Sequence, residues 1–289
     1  MPSPFAFEDG DTYLRWRDRK LAAAPQSVDG LIVEVRDPRQ LSPSEHAALA
    51  ERVRHCNMAI YVGSPEMEDT GITRLLGRQF GLDRLDANWL AGEDGVSAIS
   101  VSGNGTRQHY IPYTDRPIKW HTDGYYNPPE RQIRGMVLHC VCPAASGGNN
   151  RLMDHEMAYL LLRDTDPEHV RALMQPDAML IPERVDETDG VRPAQSGPVF
   201  SVDKGGNLHM RYTARTRSVV WKQDAATLAA VAVLENLLSS ASPHIHPARL
   251  APGMGLLCNN VLHDRAAFAD DAAHPRLLYR ARYLDRIAA

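Results

Sequence analysis

The sequence predicts a mixed α/β chain with a mainly β core, an antiparallel barrel or jelly roll with helices packed outside it. Helix signals cluster near the N-terminus and in two insertions, while the remainder reads as short apolar runs separated by Gly/Pro turns. The chain has 289 residues, 43% of them hydrophobic and 24% charged, which suits a globular protein with a large core and argues against wholesale disorder. Length alone is compatible with two domains, but β-barrels of this size often fold as one. We read residues 1–289 as a single domain with a helical flank over about 1–57 and a lid-like insertion over about 151–206.

Taken in order, residues 13–23 predict a short charged helix and 30–36 a strand. Ser42-Pro43-Ser44-Glu45 opens a helix to about Cys56: Ser42 caps it, Pro43 fits its first turn and Glu45 completes a capping box. Met58 to Val62 is a short apolar strand ending at Gly63, residues 70–82 look helical, and 96–102 and 107–114 look like strands. In the apolar run Met136 to Cys142, Val137, His139 and Val141 share one face and Met136, Leu138, Cys140 and Cys142 the other. Asp154 caps a helix to about Arg163, and a second starts at Asp166-Pro167. Residues 176–206 form a long Pro-, Gly- and Asp-rich loop with short strands, of a length often used for lids. Asp224 caps a helix with Leu228, Val231, Leu234 and Leu238 in one stripe. Pro243 to Pro252 reads as a linker, and strands over 254–259 and 276–285 finish the chain.

Charge and motifs exclude several classes. Lys+Arg is 32 against Asp+Glu 36, a net charge of -4, so a nucleic-acid partner is not expected. Cys56, Cys140, Cys142 and Cys258 make no CxxC pair and read as reduced thiols of a cytoplasmic protein. The N-terminus has no apolar core of signal-peptide length, and the stretch from Leu228 to Leu238 is too short and polar to span a bilayer. There is no P-loop, GxGxxG or G-x-S-x-G motif. A small-molecule substrate is therefore the expected partner; a homo-oligomer is compatible with the sequence.

Lys119-Trp120-His121-Thr122-Asp123-Gly124 carries the chemistry. Two residues apart at a strand end, His121 and Asp123 project to one face and can grip one ion, with Fe(II), Mn(II) and Zn(II) all suited to the donors. Alone the pair is weak, because with 12 His about one H-x-D triplet is expected by chance. Asn259-Asn260-Val261-Leu262-His263-Asp264-Arg265 supplies a second imidazole. His121, Asp123 and His263 then form a two-His, one-carboxylate set that leaves metal positions open for a bidentate cosubstrate and O2, as non-heme Fe(II) oxygenases require.

Thirteen residues beyond His263 (276 minus 263) stands Arg276. Strand alternation puts Arg276, Leu278, Arg280 and Arg282 on one face and Leu277, Tyr279, Ala281 and Tyr283 on the other. Arginines facing into a barrel need anions, which a cosubstrate carboxylate or internal Asp and Glu would supply. For Arg282, near the strand end, the internal or solvent partner is the preferred reading.

H-x-D at 121–123, Gly147-Gly148, N-x-V-L-H-x-R at 259–265 and the following Arg276 resemble the taurine dioxygenase and γ-butyrobetaine hydroxylase branch of the Fe(II)/2-oxoglutarate-dependent oxygenases, over roughly residues 40–286. The resemblance implies a single oxygenase domain with a double-stranded β-helix core. It implies Fe(II) on His121, Asp123 and His263, and 2-oxoglutarate with its far carboxylate on Arg276. Asn150 stands where related enzymes place a Thr that helps hold this carboxylate, and an amide N–H still donates. Arg280 matches the arginine that grips the substrate's anionic group. The implied reaction hydroxylates a small polar metabolite, amino-acid-like or carboxylate, and releases succinate and CO2. Asp123 favours hydroxylation or desaturation over halogenation.

Tyr125 and Tyr126 follow the metal motif and can face substrate, or simply pack with bonded phenols. Arg211, Arg215 and Arg217 share a strand face that can bind an acidic substrate or lie at a salt-bridged edge. His244-x-His246 is a rival metal pair without a carboxylate at motif spacing, and His139 reads as a satisfied core histidine. The same triad also allows desaturation, epoxidation or cyclisation. From other classes come a Zn-dependent hydrolase and a non-catalytic ligand-binding barrel.

Overall fold

Most predicted helices begin at their predicted caps. The computed structural model describes residues 3–65, 68–86, 91–103, 106–186, 190–271, 273 and 275–288, so residues 187–189 of the predicted insertion lie outside the described residues. The N-terminal flank holds α1 (Gly10–Ala22), β1 (Ile32–Glu34), α2 (Pro43–Cys56), β2 (Met58–Val62) and α3 (Gly71–Gln79). Ser42 accepts from the Glu45 N–H while the Glu45 carboxylate accepts from the Ser42 N–H, closing the expected capping box. Next come β3 (Ser97–Ile99), β4 (Ile118–His121), β5 (Gly135–Cys142), β6 (Ser146–Gly147) and β7 (Asn150–Met153). Asp154 caps α4 (His155–Thr165) and Asp166 caps α5 (Pro167–Leu173).

The long insertion consists of short strands: β8 (Met179–Ile181), β9 (Arg184–Asp186), β10 (Gly190–Arg192), β11 (Gln195–Gly197), β12 (Phe200–Val202), β13 (Leu208–Met210) and β14 (Val220–Trp221). Helix α6 (Ala225–Ser239) follows its Asp224 cap. Last are β15 (His246–Ala248), β16 (Met254–Cys258), β17 (Leu262–Arg265), β18 (Phe268–Ala269) and β19 (Leu277–Tyr283).

Two sheets form the core. One has the order β1-β2-β16-β5-β19-β3 and the other β15-β7-β17-β4. Met136, Leu138, Leu256 and Leu278 of the first and Ile118, Leu152 and His263 of the second line one small cavity, so the sheets face each other across it. On the back of the larger sheet, Val137, Leu257, Tyr279, Ala281 and Tyr283 pack on α2 and α3 through Leu49, Val53, Ile72 and Leu76. The alternation read in β5 and β19 thus separates cavity from helix-covered core.

Three elements depart from expectation. Residues 107–114 form no strand: two 3-10 turns, Thr106–His109 and Ile111–Tyr113, occupy the segment. Pro112 has no N–H for a ladder, and the buried Arg265 guanidinium gathers the carbonyls of Ile111, Pro112, Thr114 and Arg116, which an extended strand would point apart. Within Pro243 to Pro252, residues His246–Ala248 pair with β7 instead of forming a bare linker. Leu228 is 41% exposed, and the buried stripe of α6 is Thr227, Ala230, Val231, Leu234 and Leu238. Leu228 is one residue, or roughly 100°, off that stripe.

Cys56, Cys140 and Cys258 are buried free thiols. No described helix is long and apolar enough to cross a membrane.

Candidate active site

His121 ends β4 and His263 lies in β17, and the two are direct partners across the ladder. That register sets their rings 4.2 Å apart between centroids. Asp123 lies just past β4, with its Oδ1 3.5 Å from His121 Nε2 and 3.8 Å from His263 Nε2. One ligand atom from each residue falls within 4.8 Å of the others, and this is the one such trio among the described residues.

Both imidazoles are set by the same device. His121 Nδ1 lies 2.9 Å from the Lys119 carbonyl and His263 Nδ1 2.9 Å from that of Val261. A carbonyl only accepts, so each Nδ1 carries the proton and each Nε2 presents a lone pair to the shared space. Burial, with the neighbouring His121, pushes His263 down to about 4, which keeps its ring neutral. Burial disfavours the Asp123 carboxylate, but the Arg280 and Arg282 guanidiniums outweigh it and hold the group well below the usual carboxylate range. Two neutral nitrogens and a charged oxygen fit a divalent metal such as Fe(II). The Asp123 oxygen that faces both Nε2 atoms is Oδ1, while Oδ2 is turned to Arg280, so one carboxylate oxygen is presented to the shared space.

The backbone around Asp123 is clamped by Asn260, whose role was not read from the sequence. Its Oδ1 accepts from the Asp123 N–H at 2.7 Å, and its Nδ2 donates to the Asp123 carbonyl at 2.9 Å and to Ile133 at 2.7 Å. Gly124 follows at φ +67°, where a Cβ would lie 2.4 Å from Ile133 Cγ1, so the turn after the carboxylate requires glycine.

Arg276, just before β19, and Arg280 and Arg282 within it are distributed along two spaces that share lining residues. Arg276, 6% exposed, lines the small cavity with Asn150, His121 and His263. That cavity measures about 60 Å³, room for a short chain of atoms at roughly 10–15 Å³ per water-sized group. Gly147 and Gly148 have φ near +70°, and a Cβ on Gly148 would lie 3.8 Å from Arg276 Nε, so the glycine pair turns the chain closely past this arginine. Asn150 Nδ2 donates to the Asp264 carbonyl at 2.6 Å. Arg280 lines both spaces and places Nη1 3.1 Å from Asp123 Oδ2. Arg282 donates to Asp86 at 2.6 Å and to the Tyr126 hydroxyl at 3.1 Å, the internal partner preferred for it.

A second space, a cleft of about 970 Å³, opens beyond the triad. Tyr125 and Tyr126 line it, edge to face with centroids 5.2 Å apart. Arg215 and Arg217 line it too. Arg211 does not: it is buried and donates to the carbonyls of Met179 and Gln195 at 2.9 and 3.0 Å, so its expected place at the substrate is corrected to a tie inside the insertion. Strand alternation grouped it with Arg215 and Arg217, but the strand ends at Met210 and breaks the pattern. Arg184 and Arg192, which the sequence reading passed over, also face the cleft. His246 is buried in β15, away from the trio, and His139 is a core residue bonded to the Tyr61 hydroxyl at 2.9 Å.

Residues 19–282 match the family described as "Taurine catabolism dioxygenase TauD, TfdA family". The chain belongs to the TauD/TfdA family. This TauD-family protein is an Fe(II)/2-oxoglutarate-dependent oxygenase acting on a small molecule with O2 as oxidant. It is 32% identical over 278 residues to a uridine-5'-phosphate dioxygenase of Amycolatopsis sp, covering 88% of this chain and 97% of the relative. A uridine-5'-phosphate dioxygenase of Streptomyces sp is 29% identical over 200 residues, with 65% and 69% covered. Among solved structures, an asparagine oxygenase bound to Fe(II), 3-hydroxyasparagine and succinate aligns with TM-score 0.61 at 14% identity, covering 100% of this chain and 86% of that one. A taurine dioxygenase from Burkholderia xenovorans aligns with TM-score 0.58 at 18% identity, covering 90% and 89%. At these identities the structures speak to the fold of the TauD-family chain.

Proposed function

We propose that the enzyme hydroxylates a small phosphorylated metabolite, with a nucleoside 5'-phosphate as the leading substrate, and releases succinate and CO2. The charge of the wider cleft carries this reading. Nine Lys and Arg side chains line it against two carboxylates, Asp86 and Asp123, both of which already face arginines. A single carboxylate or an amino acid, the substrates expected from the sequence, would engage one or two of these cations. A phosphomonoester dianion engages more, because its oxygens accept several guanidinium N–H groups at once. The relatives named uridine-5'-phosphate dioxygenases support the same class.

In this reading His121, Asp123 and His263 hold Fe(II), Arg276 receives the far carboxylate of 2-oxoglutarate, and Asn150 helps shape that end of the small cavity. Arg280, Tyr125 and Tyr126 border the substrate. Iron held there would chelate the keto acid and activate dioxygen; the chain's own part is to orient the target C–H bond and keep water from the reacting centre. The facing sheets form a double-stranded β-helix in one domain over 1–289, with the 151–206 insertion as its lid. Family membership sets aside the zinc hydrolase and the non-catalytic barrel.

Anaerobic protein given Fe(II) and 2-oxoglutarate should develop a visible charge-transfer band that uridine 5'-phosphate perturbs. With O2, succinate should form together with a product heavier by one oxygen atom, and His121→Ala should abolish the band. A band perturbed only by unphosphorylated carboxylates would refute the substrate class. A product lighter by two hydrogens would assign desaturation or cyclisation instead.

A further inference from the structure

The chain that leaves β13 returns to the metal motif and continues the β15-β7-β17-β4 sheet past β4. The Thr122 N–H donates to the Tyr212 carbonyl at 3.0 Å, and the Ala214 N–H donates to the Trp120 carbonyl at 2.8 Å. These two bonds lie on either side of His121 and Thr213, which are direct antiparallel partners. A pair flanked by its bonds in this way is the narrow kind, with Cα atoms about 4.5 Å apart and side chains on one face. The Thr122 hydroxyl adds a third tie by accepting from the Tyr212 N–H at 3.1 Å. Thr213, 92 residues from His121 (213 minus 121), is thus locked beside a residue of the metal trio.

Alternation runs through both segments. Trp120 and Tyr212 join the apolar core that packs on α4, α5 and α6, whereas His121 and Thr213 both line the wide cleft. Thr213 is 2% exposed, so its hydroxyl belongs to the cleft wall and not to open water. Its Oγ1 accepts from the Arg215 N–H at 3.2 Å. That bond occupies a lone pair and leaves the O–H proton, which has no acceptor among the described residues. A buried donor on a ligand-sized cleft calls for a partner from the ligand.

From this register we infer that Thr213 contacts the substrate, its hydroxyl donating to an oxygen next to the C–H bond that is oxidised. The inference rests on the reading above, with iron on His121, Asp123 and His263 and a nucleoside 5'-phosphate as substrate. Whatever part of the substrate reaches Thr213 also lies beside His121, where the reacting carbon must be. The sugar of a nucleoside 5'-phosphate carries acceptor oxygens on or beside its carbons, whereas an alkyl chain would leave the buried hydroxyl unpaired. A hydrogen bond from a wall fixed by backbone bonds restricts the C–H bond to one orientation toward the metal.

The test uses the full chain with Fe(II), 2-oxoglutarate, O2 and uridine 5'-phosphate, and measures succinate and oxidised product separately. Thr213→Val keeps the β-branched shape and removes the hydroxyl. It should raise the KM for uridine 5'-phosphate about threefold to tenfold, the scale of one neutral hydrogen bond, with the KM for 2-oxoglutarate unchanged. Product formed per succinate should fall about twofold or more, because a substrate free to turn is missed by the oxidant. Thr213→Ser retains the donor and should recover both quantities. Unaltered substrate KM and product yield in Thr213→Val would overturn the contact, and so would a Thr213→Ser variant no better than Thr213→Val. A charge-transfer band that changes in Thr213→Val before substrate is added would also overturn it, since that marks a wall supporting the metal site. If the unaltered protein shows the band but does not turn over uridine 5'-phosphate, the substrate class itself fails and the contact with it.

Discussion

Arg280 Nη1 lies 3.1 Å from Asp123 Oδ2, so the arginine expected to anchor substrate is paired with the carboxylate of the metal trio. Its Nε is buried and unbonded, which leaves that donor for a ligand. One side chain thereby links the metal site to the substrate cleft. Arg280→Lys should keep iron binding within about twofold, because the charge beside Asp123 survives, but raise substrate KM about tenfold through loss of the fork. Arg280→Gln should weaken iron binding and raise substrate KM as well. Metal content and initial-rate kinetics separate the two variants.

Arg276 faces only the small cavity, so its effect should be confined to the cosubstrate. Arg276→Gln should raise the KM for 2-oxoglutarate by roughly 10- to 100-fold, the loss of a charge-assisted hydrogen bond worth about 1.5–3 kcal/mol, with substrate KM nearly unchanged. A matched rise in both constants would show that Arg276 supports the site as a whole.

Arg265 is buried with four backbone carbonyls gathered around its guanidinium, from the turns that line the cleft mouth. Burial pushes its pKa down to about 9, so it stays charged at neutral pH. Arg265→Met should cost roughly 2–4 kcal/mol of stability, read from urea unfolding, because carbonyls placed for the cation lose it. Arg265→Lys should recover less than half, since a compact ammonium cannot span them.

Stability should also fall in mild acid. His155 is buried against the Leu208 carbonyl, and burial lowers its pKa from 6.5 despite Asp154 and Glu156 nearby, with Arg286 and Lys20 also facing it. The unfolded chain takes up this proton near 6.5 and the folded chain only at lower pH. The contribution is therefore complete above about 6.5 and declines as pH falls toward the folded value, by at most about 1.4 kcal/mol per pH unit. Asp154, lowered chiefly by Lys20 against the opposing effect of burial, adds a further loss below 3.8. Urea midpoints at pH 7.5 and 5 should differ, and His155→Gln should shrink the difference.

Local rules account for what the sequence determined by itself. The Ser42, Asp154, Asp166 and Asp224 caps, the two faces of β5 and β19 and the metal motifs all follow from spacing within a few residues. Tertiary structure decided the rest, because it depends on which distant backbones meet. The His263–His121 register makes two separate histidines one ligand pair. Asn260 reaches across the chain to fix Asp123, and Arg265 folds an apparent strand into turns. That Arg184 and Arg192 reach the cleft is equally invisible in R-V-D and G-V-R, since alternation specifies two faces without saying what either of them meets.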